Sequence, residues 1–363
     1  MPLIDINYDK RVYGLDIFRA IAITVVVMTH GRIIADGLFD FVPFIPWLDG
    51  VELFFVLSGF LIGSILIKTA YKNNGLSGAT LVHFWKRRWF RTLPNYYLIL
   101  LANIALVYLG ILNGDLSEVN YQFFLFIHNF TDASFNFYWE SWSLSIEEHI
   151  YLWLPITMLL LSRLLPIKQS ILLTILLFII TPLLYRIYIA TPDITTYHGW
   201  DITFRKAVIT RLDAIAYGVL AAYVKFFYPT IWKQYPNQCF ALGLVISLVA
   251  IYIPRIYEQF YAQTFAFSVV SIGAMFLLPK ADSISSFKHK FVGRVVTHIS
   301  IIYYSMYLIN LSIVIQLLSK YFVVSNLGET IIRYSLYWLL TIVLSTLIYK
   351  FYEKPFLKLR DRF

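Results

Sequence analysis

The chain has 363 residues, 59% hydrophobic and 14% charged, against roughly a quarter charged in soluble globular domains; this composition excludes a soluble enzyme and indicates an integral membrane protein. The net charge of +9 does not argue for a nucleic-acid partner, because the basic residues fall in short loops between apolar runs, where they set orientation. A single cysteine, Cys239, excludes an internal disulfide, and nothing around it resembles a thiol or metal site.

The apolar runs are about twenty residues long and lack the ten-residue alternation of barrel strands, so the expected fold is all-α and polytopic. They fall near residues 15–35, 51–70, 92–112, 143–164, 170–190, 207–227, 238–254, 260–279, 297–319 and 331–352, roughly ten in all. Placing both termini in the cytoplasm puts about 21 of the 30 Lys and Arg residues on that side. The first run is too long for a signal peptide and carries Arg19, so it is expected to stay as the first span. No short-period repeat or low-complexity tract interrupts the pattern. One membrane domain over residues 1–363, without a fused soluble domain, is the expected organisation.

Residues 14–30, GLDIFRAIAITVVVMTH, carry Arg19 near the start of the first span and His30 near its end. Charged and titratable groups are expensive in hydrocarbon and are functional candidates there. Eleven positions at about 100° each return the two side chains to nearly one face, about 16 Å apart along the axis. Each alone has a plain alternative: Arg19 snorkels to the nearer interface, and His30 is a hydrogen-bonded packing residue. Together on one stripe they mark a polar path through the bundle.

The following loop, with Asp36, Asp40 and Asp49 against Arg32 and with Pro43 and Pro46 opposing helix, belongs outside. The second span carries Glu52 at its outer end and Ser58, Gly59, Gly63 and Ser64, small residues expected to serve close helix packing. In FWKRRWFRTLP, residues 84–94, Lys86, Arg87, Arg88 and Arg91 gather at the cytoplasmic mouth of the third span. A helix presents the three arginines as one cluster suited to bidentate phosphate contacts. The alternative is a positive-inside anchor.

Residues 113–141 hold Asp115, Glu118, Asp132 and Glu140 and no Lys or Arg, and are expected outside. Within them YQFFLFIHNF is apolar but too short to span, so it reads as a re-entrant or interfacial piece. Phe123, Phe124, Tyr138, Trp139 and Trp142 beside these carboxylates suit a sugar, with Trp139 and Trp142 as candidate substrate-binding residues; the alternative is an interfacial aromatic belt. Next, WESWSLSIEEHIYLWLP, residues 139–155, sinks Glu147, Glu148 and His149 into the outer part of the fourth span. Adjacent helical side chains point about 100° apart, so one of Glu147 and Glu148 is expected to face the interior, and the choice between them stays open. Arg211 and Asp213, at the start of the sixth span, read as local ion pairs with a neighbouring helix rather than as catalysts. The ninth span is rich in Tyr and Ser, and in YEKPFLKLRDRF Pro355 is expected to stop the last helix before a basic cytoplasmic tail.

Several of these pieces, in this order, resemble the acyltransferase-3 family of polytopic membrane acyltransferases, which acylate bacterial surface polysaccharides, lipopolysaccharide among them, and related acceptors. They are Arg19 with ten residues before His30, FFVLSGFLI at 54–62, the Arg87, Arg88 and Arg91 cluster, and WSLSIEEHIYL at 142–152. RLDAIAYG at 211–218, ISIIYYSMYL at 299–308 and EKPF at 353–356 complete the resemblance over nearly the whole chain. Many members end the ninth-span motif in histidine where this chain has Asn310. An amide is no base at neutral pH, so this position is read as a positioning group acting by hydrogen bonding. Some members carry a C-terminal esterase-like domain; here transfer is expected to finish in the bundle or on a separate partner.

The resemblance implies acyl-CoA, commonly acetyl-CoA, as a cytoplasmic donor substrate, with no permanently bound cofactor and no metal. It implies a cell-surface or lipid-linked glycan as acceptor and the bacterial inner membrane as location; a homo-oligomer is left open. On that reading Arg87, Arg88 and Arg91 meet the nucleotide phosphates, Arg19 lies just inside, and His30 lies deep along the same stripe. His30 serves as general base, since imidazole has an unperturbed pKa of about 6.5, and a carboxylate from Glu147 or Glu148 orients it. The reading from another class is a transporter or flippase, because buried charges in many spans also describe carriers. Acyl groups found on a glycan separate the two, since a carrier moves its substrate unchanged.

Overall fold

The structure is a computed structural model that describes residues 11–35, 37–38, 50–252, 257, 259–285 and 290–362. The loop residues Asp36, Asp40, Pro43, Pro46 and Asp49 lie outside the described residues. Each expected span is a helix: α1 Tyr13–Gly31, α2 Val51–Lys72, α3 Gly78–Tyr108, α4 Ser141–Leu161, α5 Ile167–Ile189, α6 Leu212–Phe227, α7 Pro236–Tyr252, α8 Phe265–Ser283, α9 Lys290–Ile309 and α10 Leu327–Ile348. Eight of the helical segments are long and apolar enough to cross a membrane, while α6 and α7 have 16 and 17 residues. The chain is an all-α integral membrane protein.

Local chemistry sets the helix ends. Ser77 caps α3 by accepting from the Thr80 amide while Thr80 Oγ1 accepts from the Ser77 amide, so two unpaired donors of the first turn are satisfied at once. The helix therefore starts well before its apolar stretch and carries Lys86, Arg87, Arg88 and Arg91 within it, with Pro94 in its interior. Asn326 caps α10 by accepting from the Glu329 amide.

Helix association in lipid depends on close packing, because lipid tails are as apolar as Leu. The small residues of α2 serve that end. A Cβ on Gly59 would lie 1.9 Å from the Ile215 carbonyl oxygen of α6, and one on Gly218 would lie 1.9 Å from that of Val56. The motifs FFVLSGFLI and RLDAIAYG thus meet backbone to backbone.

The charges at the start of α6 complete this seam. Both carboxylate oxygens of Glu52 accept from Arg211 Nη2 at 2.6 Å, and the guanidinium lies 4.5 Å from the centroid of Phe267. Asp213 accepts from Arg186 Nη2 of α5 at 2.7 Å, and the same arginine donates to the carbonyl oxygens of Thr210 and Thr264. Both arginines are fully buried, so their pairing is obligatory: one partner without the other leaves an uncompensated charge. The expected local ion pairs are present, linking α6 to α2 and α5.

Three π-helical turns among the described residues interrupt this regularity: Asp201–Arg205, Asn310–Ile315 after α9, and Tyr349–Glu353 after α10. The last leads into a short helix, Lys354–Arg360, with Pro355 in its first turn. Proline is tolerated there because a first-turn N–H has no helical partner. The helix therefore continues past the position where Pro355 was expected to stop it. Each π turn contributes residues to the cavities described next, in keeping with the frequent placement of such turns at functional sites.

Candidate active site

Three cavities follow one another through the bundle. The first, about 510 Å³, opens at the end of the bundle where the first and last described residues lie and is lined by Arg11, Asp16, Arg19, Arg91, Lys354 and Arg360, among others. A narrow central cavity of about 60 Å³ shares Arg19, Leu61, Arg91 and Tyr303 with it. A third, about 300 Å³, lies towards the opposite end and shares Val51 and Tyr307 with the central one. Arg19 lines the first two and His30 the third, so the α1 stripe read from the sequence runs along this series.

His30 is held by Asn310. Its Nδ1 lies 2.7 Å from Asn310 Oδ1, while the Asn310 amide nitrogen donates to the carbonyl oxygens of Met306 and Tyr307 at 2.9 and 2.8 Å. Tyr337 donates to the same Oδ1 at 3.3 Å. With its nitrogen engaged on two acceptors, the carboxamide offers only oxygen to the ring, so His30 must donate from Nδ1 and keep Nε2 as the basic nitrogen. Asn310 opens the π turn after α9 and is fully buried.

The next two residues of that turn hold a carboxylate. Glu140 Oε1 accepts from the backbone amides of Leu311 and Ser312 at 3.1 and 2.7 Å, groups that the wider turn leaves available. Glu140 lines the cavity of His30 with Trp139, Trp142, Tyr197, Asp201, Arg205 and Lys206. Burial pushes its carboxyl up to about 7, against the pull of the Ser312 and Leu311 amides and of the Ser312 hydroxyl.

Two connectors wall this cavity. The 113–141 segment and the Asp201–Arg205 turn are joined through buried Asn129, whose side chain donates to the carbonyl oxygens of Trp142 and Lys206 at 3.0 and 2.7 Å. Asp201 accepts from Arg205 at 2.6 Å and pairs with Lys206 at 2.5 Å. Burial lowers the Arg205 pKa to about 9, assisted by Arg211, and lowers that of Lys206 against the opposing charge of Asp201. The Arg205 guanidinium lies 4.9 Å from the Trp142 ring centroid. Asp115 and Asp132 accept instead from the amides of Ser117 and Ser134, as turn formers. Phe123 stacks on His128 with centroids 4.3 Å apart, so of the aromatic set only Trp139 and Trp142 line the cavity.

Glu147 and Glu148 part as adjacent helical residues must. Glu147 lines the central cavity and accepts from Tyr151 at 2.8 Å; the Tyr151 oxygen also lies 2.6 Å from that of Ser58. Glu148 accepts from Thr92 of α3 at 2.8 Å. Neither lines the cavity of His30, and the described hydrogen bond that orients the ring comes from Asn310 instead.

The arginine cluster divides as well. Arg88 and Arg91 line the central cavity, and Arg91 also reaches the termini-end cavity while donating to Tyr303 at 3.2 Å. Arg87 points away, 3.6 Å from Asp361 in an exposed pair. The termini-end cavity draws further cations from Arg11, Lys354, Lys358 and Arg360, residues far apart in sequence. Arg19 pairs with buried Asp16 at 3.0 Å, which also accepts from Arg11.

Sequence reasoning passed over Tyr197, Asp201, Arg205 and Lys206. The available signal was WDITFRK, an acid and a base four apart between two apolar runs.

The family model described as an acyltransferase domain matches residues 12–350. O-acetyltransferase OatA of Staphylococcus aureus strain NCTC 8325 is 28% identical over 229 residues, covering 58% of this chain and 34% of OatA. A presumed O-acetyltransferase of Staphylococcus aureus strain COL is 32% identical over 181 residues, covering 45% of this chain and 27% of the relative. The chain thus spans about a third or less of the length of these curated relatives. No solved structure gives a significant match.

Proposed function

The chain belongs to the acyltransferase-3 family, and on that premise we propose that it is a membrane O-acetyltransferase moving an acetyl group from cytoplasmic acetyl-CoA to a hydroxyl of a lipid-linked or cell-surface glycan. The observation that carries this reading is the series of cavities, wide, narrow and wide, with a cation-rich first chamber and a tautomer-fixed histidine in the last.

Both termini are placed in the cytoplasm of the bacterial inner membrane, as the Lys and Arg distribution argues. Arg11, Arg91, Lys354, Lys358 and Arg360 then meet the nucleotide phosphates of the donor, where guanidinium and ammonium groups form charge-assisted hydrogen bonds. The pantetheine arm passes Arg19 into the central cavity, among Arg88, Glu147 and Tyr151.

In the last chamber the acceptor sugar lies against Trp139 and Trp142. His30 Nε2 takes the proton of the attacking hydroxyl as its oxygen bonds to the thioester carbonyl carbon. The hydroxyls of Ser143 and Tyr307, 2.6 Å apart, line the central cavity next to this chamber; either one turns from the Glu140 carbonyl oxygen it now contacts to donate to the thioester carbonyl oxygen. Collapse breaks the carbon–sulfur bond, and the leaving thiolate recovers the proton from the imidazolium. The products are the O-acetyl ester and free CoA.

The test compares the surface glycans of cells with and without the protein by mass spectrometry and NMR. Acetyl esters present only with the protein are expected, and unchanged glycans would overturn the proposal. Labelling of single cysteines in residues 113–141 from outside the cell checks the orientation; labelling only from the cytoplasm would reverse the donor path.

A further inference from the structure

Glu140 is at the first position before α4, yet its side chain makes no hydrogen bond to that helix. It reaches across to the π turn after α9, where Oε1 accepts from the Leu311 and Ser312 amides. That bridge needs one oxygen. The other, Oε2, is buried with no hydrogen-bond partner among the described residues, as is the Ser312 hydroxyl, the donor nearby that acts on this carboxyl, and Glu140 is 1% exposed. A buried polar atom left unpaired is costly, more so on a charged group, and a glutamine would tie α4 to the turn equally well. Lys206, the ammonium lining the same cavity, is engaged by Asp201 at 2.5 Å.

The same turn determines what Glu140 accompanies. The Asn310 carboxamide orients His30, and the amides of the next two residues hold Glu140. Three consecutive residues therefore hold His30 and Glu140, which line one chamber with Trp139 and Trp142. We infer that Glu140 is an acceptor-binding residue: Oε2 accepts a hydrogen bond from a second hydroxyl of the acceptor, neighbouring the one whose proton passes to His30. The acceptor is accordingly a sugar with adjacent free hydroxyls rather than a monohydric alcohol. This assignment rests on the glycan O-acetyltransferase reading.

Glu140→Gln tests it. Its amide oxygen still accepts from Leu311 and Ser312, so the bridge survives, but its nitrogen then faces the second hydroxyl as a donor. The amide cannot offer oxygen to both places. The protein is reconstituted in proteoliposomes with labelled acetyl-CoA and the lipid-linked saccharide fraction of the producing bacterium. Glu140→Gln should raise the apparent KM for the saccharide roughly ten- to a hundredfold, the scale of a lost hydrogen bond to a charged group. The KM for acetyl-CoA, the thermal midpoint and kcat should stay near those of the parent. Glu140→Ala, which also removes the bridge, should lower the thermal midpoint. A Gln variant kinetically equal to the parent, with only the Ala variant impaired, would overturn the assignment while leaving the enzyme reading intact. A parent that acetylates no saccharide would overturn both.

Discussion

Asn310 Oδ1 lies 2.7 Å from Nδ1 of His30, across 280 positions of sequence, and this contact leaves Nε2 as the imidazole nitrogen with a lone pair to accept a proton. Many relatives resembled by this chain end the ninth-span motif in histidine; here a neutral amide orients the base from the first residue of a π turn. His30→Ala is expected to lower acetyl transfer by about 10² to 10⁴, the usual loss of acid–base help, with donor binding retained. Asn310→Ala should cost roughly 10- to 100-fold, as loss of an orienting partner does. Near-normal turnover in the histidine variant at matched expression would remove the base from the mechanism.

The two adjacent glutamates should behave unequally. Glu147 lines the central cavity, whereas Glu148 accepts from Thr92 on α3. Glu147→Gln is expected to impair turnover strongly and Glu148→Gln mildly, measured as kcat/KM at equal amounts of folded protein. The reverse order would mean that the donor arm follows another route.

For the donor, the chamber at the termini draws its cations from Arg11, Arg91 and the Lys354–Arg360 helix. Calorimetry should show the parent binding CoA more tightly than 3′-dephospho-CoA. Lys354→Gln with Lys358→Gln should reduce that difference, and Arg88→Ala with Arg91→Ala should weaken both ligands. Arg87→Ala, which removes only an exposed pair with Asp361, should change neither. Equal CoA affinity in all variants would leave these cations as topology anchors.

Stability hangs on the seam between α2 and α6. Glu52→Gln leaves Arg211 fully buried without its counter-charge, a change that costs about 3–5 kcal/mol when such a pair is broken. The double variant Glu52→Leu with Arg211→Met should recover part of the loss, because two apolar residues carry no desolvation cost. Thermal unfolding in detergent measures both; equal midpoints for Glu52→Gln and parent would show the pair to be dispensable.

Acceptor binding should depend on pH through Glu140, whose carboxyl is pushed up to about 7 by burial. Below that value the carboxyl is protonated and is a poorer acceptor; above it the carboxylate accepts. The apparent saccharide KM should therefore fall as pH rises through about 7 in the parent. His30, Tyr197, Asp201, Arg205, Lys206 and Tyr307 line the same chamber, so the part due to Glu140 is the part that disappears in Glu140→Gln. A pH profile identical in the two proteins would assign the dependence to one of those groups.

Much of this molecule was legible one segment at a time. Apolar run length placed the ten long helices α1 to α10, the helical period put Arg19 and His30 on one stripe, and small residues marked the α2–α6 seam, because periodicity, hydropathy and side-chain size are properties of a local stretch. Only the tertiary structure decided which groups meet. It placed Glu140 rather than Glu147 or Glu148 in the chamber of His30, turned Arg87 away from Arg88 and Arg91, and brought Lys354 and Lys358 beside Arg11. The physical reason lies in rotation about the helix axis. A π turn inserts an extra residue and rotates all that follows by about 100°, and the packing of neighbouring helices determines whether a side chain on a given stripe meets a cavity, a partner or lipid.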